Sequence, residues 1–177
     1  HLLAGIFDNV TNSYKYFWFL AILEAVTLQK TKHIKLNSLA SRMIASVWYP
    51  VNYFRLSLGK QDNLGKFVLK LNEEGIANVN AHRKDIISAV EKILQDSTAF
   101  AKDIQSLTNY VPYRFIRPFF NSQLRGVQDS KINESIYRLS DQYFDNQNEP
   151  CIYKFSENEI ILNPFWYEYL IEHNFFS

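Results

Sequence analysis

The 177-residue chain has one cysteine, one methionine, five glycines, five prolines and a formal net charge of only +1. The lone cysteine, Cys151, excludes an internal disulfide framework and points to reducing surroundings. The glycines, at positions 5, 59, 65, 75 and 126, stand singly, so there is no glycine-rich loop of the kind that cradles phosphate or a dinucleotide. Their scarcity, with that of proline, also excludes low-complexity sequence. The longest apolar run, Tyr16 to Leu23, is bounded by Lys15 and Glu24 and falls far short of the roughly 20 residues that a membrane-spanning helix needs. No charged stretch followed by an apolar region and a cleavage site opens the sequence, and a cytoplasmic location with no membrane partner is expected. With 19 basic against 18 acidic side chains, steering of the whole molecule toward a polyanion is weak, so any nucleic-acid surface has to be local.

What the chain does have is apolar and aromatic mass. At 47% hydrophobic and 16% aromatic content it can bury a core without disulfide or metal staples. Charge is unevenly spread. Between Lys30 and Lys70 lie Lys30, Lys32, Lys35, Arg42, Arg55, Lys60, Lys66 and Lys70 against one acid, Asp62, whereas Asp129 to Glu172 is acid-rich.

Periodicity predicts a mainly α fold: a helical bundle-like domain with one short C-terminal β-hairpin followed by a terminal helix. Asn9, Thr11, Asn12 and Ser13 supply capping chemistry before a helix over Tyr14 to Val26, which is apolar nearly all round and should sit centrally. Lys32 to Leu36 reads as a loop. Asn37 or Ser38 then caps a second helix through Leu39, Met43, Ile44 and Val47, which Pro50 stops or kinks. Asp62 to Leu71 forms a shorter amphipathic helix ended near Gly75. From Asn80, the residues Ile86, Ala89, Val90, Ile93 and Leu94 form one helical stripe, and Phe100, Ile104 and Leu107 extend it or begin another helix after a break at Ser97. Val111 to Phe120, punctuated by Pro112 and Pro118, reads as an ordered, partly buried connector. Ile132, Ile136, Leu139 and Tyr143 mark a helix that ends near Asp145 to Glu149. Ile152 to Phe155 and Ile160 to Leu162 suit a hairpin with a four-residue loop, and Asn163 caps the last helix with Pro164 at its first position. No internal repeat or flexible linker divides the chain, so one helical domain over residues 1–177 is expected.

Chemistry is scarce. His1, His33, His82 and His173 lack the paired spacing of a zinc site, and no cofactor is expected within these residues. Glu172, His173 and Asn174 suit a helix end, with the histidine against the dipole and the asparagine terminating the helix. Cys151, after Pro150, suits a small buried hydrophobe better than a nucleophile. The most suggestive stretch is Tyr113, Arg114, Phe115, Ile116, Arg117. Its arginines could contact phosphates while its rings stack on bases, or the arginines could close helix ends or pair with carboxylates while the rings fill the core. The basic segment around Arg55, Lys60 and Lys66 offers further phosphate contacts, or a solvated helix face.

Three blocks of the chain resemble a bacterial family of proteins that carry an HNH endonuclease domain. The first runs from Phe7, Asp8, Asn9, Val10, Thr11 and Asn12 through Ser13, Tyr14, Lys15, Tyr16, Phe17 and Trp18 to Glu24. The second is Val111, Pro112, Tyr113, Arg114, Phe115, Ile116, Arg117, Pro118, Phe119, Phe120. The third lies around Ile161, Leu162, Asn163, Pro164, Phe165, Trp166, Tyr169 and Leu170. In such proteins the helical region precedes a nuclease module whose histidine and asparagine motif holds a divalent metal and activates water for phosphodiester cleavage. The resemblance therefore implies an enzyme parent, whereas residues 1–177 carry no counterpart of those catalytic residues and are expected to be non-catalytic.

On that resemblance, the expected function is to position DNA or a partner for the metal-dependent module, with phosphate contacts from Arg55, Lys60, Lys66, Arg114 and Arg117. The alternative class is a protein-interaction or homo-oligomerisation domain without nucleic-acid binding, its contact surface made by Phe165, Trp166, Tyr169, Phe175 and Phe176. A small-molecule site assembled from residues distant in sequence is the remaining class.

Overall fold

The computed structural model describes residues 6–7, 13–56, 58, 63–96 and 98–173. Among the described residues, seven α-helices and a small antiparallel sheet make a mainly α fold that closes, as expected, on a hairpin and a terminal helix. In chain order the elements are α1 (Tyr14–Gln29), β1 (His33–Lys35), α2 (Leu36–Asn52), α3 (Leu64–Glu73), α4 (Arg83–Ile93) and α5 (Ala99–Ile116). Two 3₁₀ turns (Arg117–Phe120, Asp129–Lys131) lead to α6 (Ile132–Gln142), β2 (Tyr153–Ser156), β3 (Glu159–Leu162) and α7 (Pro164–Glu172).

The centre is α2, not α1. Eleven of its 17 residues are buried, and α1, α3, α4 and α5 all pack on it. Ser38, Ala40, Ser41 and Ala45 are small enough to let several helices approach one axis closely. The more apolar α1 buries Trp18, Ala21, Ile22, Ala25 and Val26 but leaves Tyr16, Leu20 and Leu28 exposed. Close approach from several sides, rather than mean hydropathy, decides which helix is central.

The stretch expected as a loop over Lys32 to Leu36 contains β1. Its burial alternates exposed, buried, exposed, and Ile34 lies opposite Ile160 of β3. The sheet is thus three-stranded in the order β1-β3-β2, with β3 in the middle. The hairpin turn is two residues, Glu157 and Asn158, rather than four, because Ser156 and Glu159 pair as the last rung. Glu157 takes φ +47° to make that turn. The carbonyl of Asn158 accepts the Leu36 amide at 2.8 Å, so the start of α2 is closed by the hairpin rather than by Asn37 or Ser38.

Neither proline inside a helix stops it. Pro50 lies in the last turn of α2, which runs on to Asn52, and Pro112 lies within α5. The expected connector over Val111 to Phe120 is therefore the end of α5 continued by a 3₁₀ turn. Proline removes one ladder bond, but Val111, Pro112, Phe115 and Ile116 are all buried on this segment, and that burial outweighs the loss. A separate α5 begins after the expected break. Thr98 caps it, its side-chain oxygen accepting from the Ala101 amide at 3.1 Å. Asn163 caps α7 as the sequence indicates, accepting from the Phe165 amide at 2.8 Å with Pro164 at the first position. Asn9, Thr11, Asn12 and Ser97, to which the sequence assigns capping or breaking roles, lie outside the described residues.

One polar cluster ties three helices together. Arg83 of α4 grips Glu24 of α1 with two bonds, Nε to Oε1 at 3.1 Å and Nη2 to Oε2 at 2.5 Å. The same Nη2 reaches the carbonyl of Arg42 and the hydroxyl of Ser46 on α2. Arg42, 7% exposed, brings a second guanidinium to 4.0 Å from Glu24.

Candidate nucleic-acid interface

Because α5 continues through Pro112, Tyr110, Arg114 and Arg117 fall at offsets 0, 4 and 7 and share one face. The Arg114 guanidinium sits 5.6 Å from the centre of the Tyr110 ring, a cation–π arrangement that holds the charge at the surface. Arg114 and Arg117 together line a groove of about 530 Å³ with Tyr110, Asp129, Ser130 and Asn133. Tyr110 and Arg114 also line a second, adjoining groove with Tyr14, Asn63 and Ser106. Asn63 donates its amide to the Tyr14 hydroxyl at 3.0 Å and accepts from Lys66 Nζ at 3.3 Å.

A track thus runs from Lys66 past Asn63, Tyr14 and Tyr110 to Arg114 and Arg117. Three of the five cations expected from the sequence lie along it. Arg55 does not: it follows the end of α2 with φ +51°, beside the exposed Phe54, and lines neither groove. Lys60 lies outside the described residues. No ion pair engages Lys66, Arg114 or Arg117 among the described residues, although Asp129 places one carboxylate at the far end of the track.

The rings of the 113–120 block turn inward. Phe115 and Phe120 are buried, and Tyr113 stacks on Phe155 with centroids 4.3 Å apart. Burial raises the Tyr113 phenol, with the phenol of Tyr137 adding to it. The exposed ring beside the arginines is Tyr110, which sequence reasoning misses when it ends the helix before Pro112. The i, i+4, i+7 spacing is the signal that finds it.

The remaining candidates are structural. Cys151 is fully buried, and desolvation pushes its thiol up to about 12, which keeps it protonated and unreactive. His33 Nδ1 meets Glu159 Oε1 at 2.9 Å diagonally across the β1–β3 pair, at the exposed surface. His173 caps α7, its Nδ1 on the carbonyl of Tyr169 at 2.9 Å; Asn174 lies outside the described residues. Among the described residues no group of three histidine, cysteine or carboxylate side chains is placed to hold a metal ion, and no helix is long and apolar enough to cross a membrane. On α7, Trp166 and Leu170 dock on the core while Phe165 and Tyr169 stay exposed; Phe175 and Phe176 lie outside the described residues.

Comparison of the chain with family models, with curated proteins and with solved structures finds no match.

Proposed function

We propose that this helical domain holds duplex DNA along the Lys66–Tyr110–Arg114–Arg117 track. In this role it serves as the non-catalytic amino-terminal part of an HNH endonuclease-like protein, in which other residues supply the divalent metal and the hydrolytic chemistry. The observation that carries the proposal is the seating of Arg114 over Tyr110 with Arg117 one turn further on, in a groove both arginines line. Arg114, steadied by the Tyr110 ring, and Arg117, both without an ion pair among the described residues, are suited to phosphate oxygens, whose paired acceptors match the guanidinium fork. The resemblance of the three sequence blocks supports the nuclease context, because the second block contains both arginines.

Binding of a labelled duplex, followed by fluorescence anisotropy across a salt series, tests the proposal. Affinity should fall steeply with salt, and replacing Arg114 and Arg117 by alanine should flatten the logarithmic slope by about two units, close to 0.9 for each phosphate that is no longer neutralised. Undetectable or salt-independent binding overturns it. The nuclease context has its own check, since the polypeptide encoded beyond Ser177 should carry a histidine and asparagine metal motif.

A further inference from the structure

A second site lies where the 145–150 loop meets the start of α7. The groove there has a volume of about 640 Å³, within the roughly 300–1,000 Å³ range of small-molecule sites. Three of its ten lining residues are aromatic, beside four side-chain amides, two prolines and one carboxylate. Phe165 and Trp166 lie 5.6 Å apart with planes at 77°, and Trp166 and Tyr169 lie 5.7 Å apart at 81°, so the rings make walls at right angles rather than one flat patch. Among the described residues Asp145 is the only charged one lining the groove, and no ion pair engages it.

The groove is held in shape from both sides. The Trp166 indole donates to the carbonyl of Pro150 at 2.8 Å, which pins α7 to the loop. Within the loop, Asn146 Oδ1 accepts the amides of Asn148 and Glu149, each at 3.0 Å. With its one polar atom spent on Pro150, the Trp166 ring is left as an apolar wall. Aromatic faces carry negative potential, and a carboxylate beside them selects the same sign of partner.

The geometry points to a binding site for a small organic cation, an alkyl- or aryl-ammonium whose apolar body lies against Phe165, Trp166 and Tyr169 and whose charge faces Asp145. An anion meets repulsion from both carboxylate and rings, and a neutral apolar molecule gains no attraction from the solvent-exposed Asp145. The site shares no residue with the arginine track, so it stands or falls independently of DNA binding.

Titration of the whole chain with benzyltrimethylammonium, followed by proton–nitrogen correlation spectra, tests it. The Trp166 indole signal and the amides of residues 145–149 should shift saturably, while the indoles of the buried Trp18 and Trp48 stay still and report an intact fold. Asp145→Asn and Tyr169→Ala, both at exposed positions, should each weaken binding roughly three- to thirtyfold. Equal affinity for the neutral carbon isostere, binding of benzenesulfonate, or no shift at Trp166 overturns the assignment. So does binding of a trimethyllysine peptide with no response to the free cation. Duplex affinity measured on Tyr169→Ala should be unchanged, which separates failure of this site from failure of the track.

Discussion

The hydroxyl of Tyr153 donates to the carbonyl oxygen of Pro112 at 2.6 Å, deep in the core and 41 positions away in sequence. The phenol oxygen in turn accepts the indole N–H of Trp18 at 3.2 Å. One phenol thus joins α1, α5 and the hairpin, and it does so at the residue where α5 lacks an amide of its own.

Tyr153→Phe should therefore cost about 1–3 kcal/mol, because it leaves a buried indole donor without its partner and removes a bond to a buried carbonyl. Urea unfolding should show a lower midpoint with an unchanged slope.

Glu24 answers two guanidinium groups at once, so its loss leaves Arg42 buried without a carboxylate. Glu24→Gln should destabilise the fold by about 1–3 kcal/mol, between an exposed and a buried ion pair, because Glu24 and Arg83 are partly exposed while Arg42 is buried. Arg83→Lys, which cannot make the bidentate grip, should lie between that variant and the parent in the same unfolding measurement.

Asn163 carries two bonds, its oxygen accepting from the Phe165 amide and its Nδ2 donating to the carbonyl of Phe144. Asn163→Ala should cost about 2–4 kcal/mol, a lost cap plus an orphaned buried carbonyl. Asn163→Ser keeps an uncharged capping oxygen and loses the donor to Phe144, and its thermal midpoint should fall between those of the alanine variant and the parent.

Alkaline pH should weaken the fold through Cys151. Its thiol ionises near 9.0 when free of burial and at about 12 in the folded chain. The folded state therefore holds this proton more tightly, and the contribution is fully present below pH 9 and lost as pH rises toward 12. Burial pushes Tyr153 well above its ordinary 10.0, in the same direction. Chemical unfolding across this range should show stability falling above about pH 9, less steeply in Cys151→Ala. Thiol reagents should label the native protein only as fast as it opens.

Along the track, Lys66→Ala should lower the salt slope of duplex binding by about one unit, and Arg55→Ala should leave it unchanged. A larger effect at Arg55 than at Lys66 would place the DNA path elsewhere on the surface.

Helices with a clear apolar stripe are legible in the sequence, as is the Asn163–Pro164 start of α7, because a cap and a period of 3.6 are local properties. β1 is not. A three-residue strand with one apolar member, Ile34, exists only because β3 lies beside it, and no window around His33 contains that partner. Pro112 misleads for a related reason, since its local cost is visible in the sequence whereas the burial that offsets it comes from elements distant along the chain. Arg114 and Arg117 stand out as a pair from the sequence alone, but Tyr110, Tyr14 and Asn63 join them only once α5 runs its full length and α1 meets α3.

The pairing of His33 with Ile161 gives the sheet an unusual birth order. During synthesis β1 leaves the ribosome early, and its neighbour follows only after most of the remaining helices have been made. Until then Ile34 presents an unpaired edge, shortened to three residues and flanked by His33 and Lys35, whose polar side chains discourage adhesion to other chains. The last stitch of the sheet is also what closes the amino end of α2, so the central helix acquires its finished terminus only when the hairpin arrives.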